Sequence, residues 1–337
     1  MWEVLMANMM SPVVMFFVLG LAAALLRSDL KFPSALSDAL SMYLLLAIGL
    51  KGGIEMSKYP VTELLQPIWG GLLLGTLIPV VTFVMLLKMK IDKFNAAALA
   101  AAYGSVSIVT FGAGADFLDK VGASYESYMG AIVAIMEIPA ILVSLIMLKA
   151  LQGSANRQRT GGAVLYSGFL PILRKGIDVG ILREVLTGKS ILLLAGGLII
   201  GLLAGQEAMP VVQPFFIDPY RGALMLFLMH MGMVCGSKLG ELKGRSSLLL
   251  GFAVLAPIAY GALGVLVGKA AGLSTGSMML MGVLAASASY IAAPAAVKGA
   301  IPEANPSIYL GLALGVTFPF NLAFGIPLYY WLAQMLA

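Results

Sequence analysis

Charge is scarce in this sequence. Asp, Glu, Lys and Arg make up 11% of its 337 residues, hydrophobic residues make up 60%, and the mean hydropathy is +0.97. A soluble domain carries about 25% charged residues. This chain therefore lacks the charge to clothe a water-facing surface and reads as an integral membrane protein. Alternating strands of about ten residues, the mark of a membrane barrel, are absent too. Leu- and Ala-rich runs joined by short polar connections take their place, so the class is all-α. Cysteine occurs once, at Cys235, which excludes an intrachain disulfide and a Cys-rich metal site. Histidine also occurs once, at His230, and one imidazole does not make a metal cage; a packed, hydrogen-bonded role is expected for it. The opening MWEVLMANMM has Glu3 and no basic residue, so it is not a secretory signal and the first apolar segment is expected to remain as a span.

Ten apolar segments are present, at 11–26, 36–50, 64–87, 95–115, 127–150, 190–205, 220–237, 246–270, 276–298 and 307–335. The first, second, sixth and seventh are short for a straight span of about 20 residues. They are expected either to lie beside longer helices or to extend into the connections. Assigning the connections alternately to two sides puts sixteen of the 21 Lys and Arg on one side, and only Lys51, Lys58, Lys120, Arg221 and Lys269 on the other. The positive-inside rule makes the richer side cytoplasmic. Both termini are then outside, in the inner (plasma) membrane of a bacterial cell. The net charge of +5 is mostly this bias and calls for no nucleic-acid partner.

The chain is written twice. AAAYGSVSIVT (100–110) is followed by SYESYMG (124–130) and EIPA (137–140). LAASASYIAAP (284–294) is followed by ANPSIYLG (304–311) and TFPF (317–320). Ser105 to Glu137 spans 32 residues and Ser287 to Thr317 spans 30. LLLAIGLKGGIEMSK (44–58) likewise resembles LFLMHMGMVCGSKLG (226–240). Each half holds five spans, and an odd number inverts the second copy. This is the 5+5 inverted-repeat plan of secondary transporters. The expected divisions are 1–150, a cytoplasmic linker at 151–189, and 190–337. The linker's apolar patch AVLYSGFLPIL is a candidate surface helix or docking point.

Gly104-Ser105-Val106-Ser107 in the first half and Ser287 to Pro294 in the second interrupt otherwise apolar helices. Unpaired backbone is tolerated in a membrane only inside protein or against a water-filled cavity. Two breaks at matching places in inverted halves should meet near the midplane. Each would expose the positive end of a half-helix, where an anion can sit. Freed carbonyls and hydroxyls suit a hard cation such as sodium. Glu137, deep in the fifth segment before Pro139, is costly there and marks an ion path. Thr317 and Asn321 stand near the same place in the second half. Asp116, Asp119 and Glu126 fall in an external connection and are expected to be solvated. No phosphate-binding Gly-rich loop and no ATPase motif is present, so an ion gradient is the expected energy source.

At these breaks the sequence resembles the cyanobacterial sodium-dependent bicarbonate symporters, the SbtA-type permeases. The residues that carry the resemblance are GSVSIVT (104–110), SYE (124–126), EIPA (137–140), AASASYIAAP (285–294) and AIPEANPS (300–307). It implies two discontinuous, crossing helices, a gate domain of spans 1, 2, 6 and 7, and a core domain of spans 3–5 and 8–10. It also implies a homotrimer, elevator-like movement, sodium-coupled bicarbonate uptake and a PII-like regulatory partner. Carried over to this chain, the anion falls to Ser105, Val106, Ser107, Ser287, Ala288, Ser289 and Tyr290. Sodium falls to Gly104, Ser107, Thr110, Glu137, Ser289 and Asn321. Tyr290 departs from the family, which has an acid there, and Ile108 and Val109 replace a Gly-Ser pair. A symporter of a short organic carboxylate and a non-transporting membrane sensor are the alternatives.

Overall fold

A computed structural model describes residues 6, 8–157, 183, 186–239 and 247–337. Among them no strand occurs, and helix lies over each of the ten apolar segments. Helix α1 (Pro12–Leu25) begins where Ser11 Oγ accepts a hydrogen bond from Val14 N at 3.2 Å. Pro33 and Pro60 start α2 (Ser34–Met56) and α3 (Val61–Lys88), where a missing N–H costs nothing. Asp92 accepts from Phe94 N and Asn95 N to start α4 (Lys93–Gly104). Helix α5 (Ile108–Val121) ends at Gly122, whose φ of 67° is the left-handed conformation that glycine adopts without strain. Then come α6 (Met129–Arg157) and α7 (Lys189–Ala204). Short helical turns run from Gly205 to Ile217 and lead into α8 (Tyr220–Leu239). The chain closes with α9 (Ser247–Ala270), α10 (Thr275–Ala286), α11 (Ala292–Ala300) and α12 (Pro306–Leu336). Two π turns, Ala313–Thr317 and Asn321–Gly325, interrupt α12.

Among the described residues, seven stretches are long and apolar enough to cross a membrane, and α1 and α10 are shorter apolar helices. Of the short segments, the second extends to Met56 and the sixth is prolonged by the turns up to Ile217. Glycines let backbones touch. A Cβ at Gly53 of α2 would overlap Leu198 O of α7, and one at Gly201 would overlap Leu50 O. Gly20 of α1 and Gly232 of α8 meet Met229 O and Phe17 O in the same way. Small residues that bring helices this close are the usual means of association in a membrane. Helix α3 packs on α4 and α6, and α9 packs on α10. The apolar patch at 163–173, with Lys243 and Arg245, lies outside the described residues.

Candidate functional site

Each break follows a helix of twelve residues, α4 or α10. Ser105 (φ −79°, ψ 174°) and Ser287 (φ −79°, ψ 157°) turn the chain into nearly the same extended conformation. Non-helical backbone covers Ser105–Ser107 and Ser287–Ile291. The two breaks touch. Ser107 N donates to Ser287 Oγ at 2.8 Å, and Ser289 N donates to Ala102 O at 2.7 Å. Each break thereby satisfies polar groups freed by the other.

A small cavity opens beside this junction. Val106, Ser107, Ser289 and Tyr290 line it from the breaks, Val133 and Glu137 from α6, Leu45 from α2, and Ser190 and Leu194 from α7. Two of these side chains end in buried atoms with no hydrogen-bond partner, Glu137 Oε2 and Tyr290 Oη. A buried polar atom is expensive to leave unpaired. Two of them facing one cavity mark a place for a ligand. Ser105 Oγ is a third unpartnered buried atom at the first break, outside the lining of this cavity.

The hydroxyls differ in what they have left to offer. Ser107 Oγ accepts from Thr110 N at 3.1 Å and Thr110 Oγ1 at 2.9 Å, so both its lone pairs are used and its O–H remains. That suits an anion better than a cation. Ser289 Oγ accepts only from Ala293 N, at 3.2 Å, and keeps one lone pair as well as its proton. Ser287 Oγ accepts from Ser107 N and donates to Leu284 O at 2.9 Å, which spends its proton and leaves one lone pair. It clamps the breaks together.

The remaining nominees stand back from the cavity. Gly104 packs against Pro79 of α3, 2.7 Å from where a Cβ would stand. Thr110 and Ala288 are buried without lining it. Asn321 donates to Ala286 O at 2.8 Å and accepts from Tyr329 Oη at 3.0 Å, so it caps the end of α10. Thr317 donates to Ala253 O and meets Tyr103 Oη at 2.6 Å. Ser190 was not foreseen. In sequence it follows Lys189 at the edge of a polar linker and reads as a helix start.

Of the three carboxylates expected to be solvated, Asp119 is exposed, Asp116 is buried and Glu126 is half-buried. Asp116 is buried and paired with Lys120 and with Arg221, whose Nε is 3.3 Å away. Arg221 also grips Asp119. Glu126 accepts from Ser274 Oγ at 2.8 Å and Ser274 N at 3.1 Å, and its own N–H donates to Ser277 Oγ at 2.8 Å. Burial pushes the Glu126 carboxyl up, but the hydrogen bonds of Ser277 and Ser274 outweigh this and hold it below the usual carboxylate range. His230 is packed, its ring stacked on Phe32 with centroids 4.5 Å apart, but its buried Nδ1 has no hydrogen-bond partner, against the expectation.

An apolar helical chain that buries an unpaired carboxylate and phenol at a double helix break is built as a membrane transporter is. Residues 12–334 match the Na+-dependent bicarbonate transporter superfamily, and the chain belongs to that family. No curated protein matches it.

Proposed function

We propose that this protein carries bicarbonate into the cell together with sodium, by alternating access to the cavity between the two helix breaks. The observation that carries this is the pair of unpartnered buried atoms, Glu137 Oε2 and Tyr290 Oη, in one cavity with the free O–H of Ser107. The carboxylate is the natural sodium ligand, with the second lone pair of Ser289 beside it. The hydroxyls of Ser107 and Tyr290 are the natural anion donors, since a carboxylate at position 290 would repel the anion and a neutral phenol donates to it.

The scaffold of this proposal is ten spans in two inverted halves. Its support is the equal length of α4 and α10, the matched geometry of Ser105 and Ser287, and the exchanged hydrogen bonds between the breaks. The pairing of α1 with α8 and α2 with α7 is also what two inverted copies produce. Helices α1, α2, α7 and α8 form the gate, and α3–α6 with α9–α12 form the core that moves past it, with the cavity between them. Trimer formation and control by a PII-like protein rest on the family resemblance alone.

The test is uptake of labelled bicarbonate by sealed vesicles holding the purified protein. Uptake should require an inward sodium gradient and resist an excess of acetate or lactate. Sodium-independent uptake would overturn the coupling, and displacement by a carboxylate would assign the cavity to that substrate.

A further inference from the structure

A second, larger hollow lies beyond the inner cavity. One turn along each of three helices, about 5 Å, leads from the first to the second: Leu45 to Ile48 on α2, Ile108 to Phe111 on α5, and Val133 to Gly130 on α6. The hollow lies around Lys51, Phe111, Gly112, Tyr125 and Tyr220. It continues into an open cleft bounded by Asp116, Asp119, Asp218 and Arg221. Lys51 and Tyr220 line both parts.

The charges around it are matched, with two exceptions of opposite sign, Lys51 and Asp218. Asp116 has Lys120 and Arg221, and Asp119 has Arg221. Glu55, next to Lys51 on α2, has Lys58 at 2.7 Å and the Ser127 hydroxyl at 2.6 Å. Asp218 is exposed at the rim and accepts from Gln213 at 3.3 Å. Lys51 is exposed and makes no ion pair or hydrogen bond, although its charge acts on Glu55 one turn further along α2. Tyr220 Oη also makes none, and it reaches Gly112 so closely that a Cβ there would stand 2.5 Å away. A free cation and a free donor thus face a hollow whose carboxylates are occupied or solvated.

We propose that this hollow is a capture site for a small monovalent oxyanion, held by the Lys51 ammonium and the Tyr220 hydroxyl before it passes Phe111 and Ile48 into the inner cavity. The proposal rests on the transport reading above. Its chemistry is local: Asp116, Asp119 and Asp218 offset the cations of the lining, so the hollow as a whole is not positive, and the Lys51 ammonium attracts an anion at close range, an effect that salt screens.

The experiment compares wild type with Lys51→Gln, Lys51→Arg and Tyr220→Phe in sealed vesicles, using labelled bicarbonate at several ionic strengths. Lys51→Gln should raise KM about fivefold, the size of a charge pair still open to solvent. It should leave the maximal rate unchanged and flatten the dependence of KM on salt. Lys51→Arg should behave as wild type, and Tyr220→Phe should raise KM with the salt dependence kept. Wild-type KM and salt dependence in Lys51→Gln would overturn the capture site. Uptake by the wild type without sodium would sink the coupling proposed above and leave the Lys51 comparison to decide this one.

Discussion

Glu137 and Tyr290 show how one side chain separates a structural from a functional role. A carboxylate oxygen buried without a partner is a liability unless an ion completes it. Glu137→Gln keeps the volume and removes the charge. The sodium concentration for half-maximal uptake should rise about tenfold, the worth of one charge-assisted contact, while far-UV circular dichroism and elution volume stay unchanged. Wild-type sodium dependence in that variant would return Glu137 to supporting the helix at Pro139. For Tyr290 the protein supplies the ring with a neighbour, Phe318, with centroids 5.4 Å apart, and the hydroxyl with the Ser107 side chain alone, at no well-formed hydrogen bond. Tyr290→Phe therefore loses little inside the protein and should leave the melting temperature close to wild type. Its KM for bicarbonate should rise. A KM equal to wild type would mean that the phenol only packs. Tyr290→Asp, which places a negative charge beside the cavity, should steepen sodium dependence.

At the scale of elements, two contacts give opposite kinds of test. The connection between α5 and α6 is held to α10 by Glu126, whose carboxyl is kept below its ordinary range in the folded protein. A depressed folded-state value adds stability above the ordinary carboxylate range, and that stability is lost as pH falls through the lowered value. The melting-temperature gap between wild type and Glu126→Gln should thus be full at neutral pH and close below about pH 4. A gap that ignores pH would mean that hydrogen-bond geometry, and not charge, makes the contact. Between α2 and α7 the contact is steric. Gly53→Ala pushes a methyl into Leu198 O and should cost about 1–3 kcal/mol by overpacking. Gly196→Ala, on the same pair but with nothing within 4 Å, is the control and should be neutral. Equal melting temperatures for the two would disprove the close approach.

Across the whole molecule, sequence was most informative where composition is forced by the membrane. The breaks were legible because Gly, Ser and Pro interrupt apolar runs for few other reasons, and the helix starts were legible from Asp92, Pro33 and Pro60. The end of α2 was not. Lys51 and Glu55 look like the end of a span, yet the helix runs past both because the hollow and Lys58 accommodate their charges. Asp116 looked solvated because its partner Arg221 is 105 residues away, beyond any local pattern. That same pair carries the prediction that reaches furthest. Arg221 stands on α8 and Asp116 and Asp119 on α5, so the contact joins the proposed gate to the proposed core near Lys51 and Tyr125, at one end of the molecule. If the core slides past the gate, this contact must break in every cycle. Arg221 and Asp119 are largely exposed, so the pair contributes at most about 1 kcal/mol to stability, but it weighs on one state of the cycle and not on the other. Arg221→Gln should therefore change the maximal uptake rate severalfold with little change in melting temperature. Arg221→Asp should change it further, and Arg221→Asp combined with Asp119→Arg should move the rate back toward wild type. If all three variants keep the wild-type rate, the gate and core do not part at this contact.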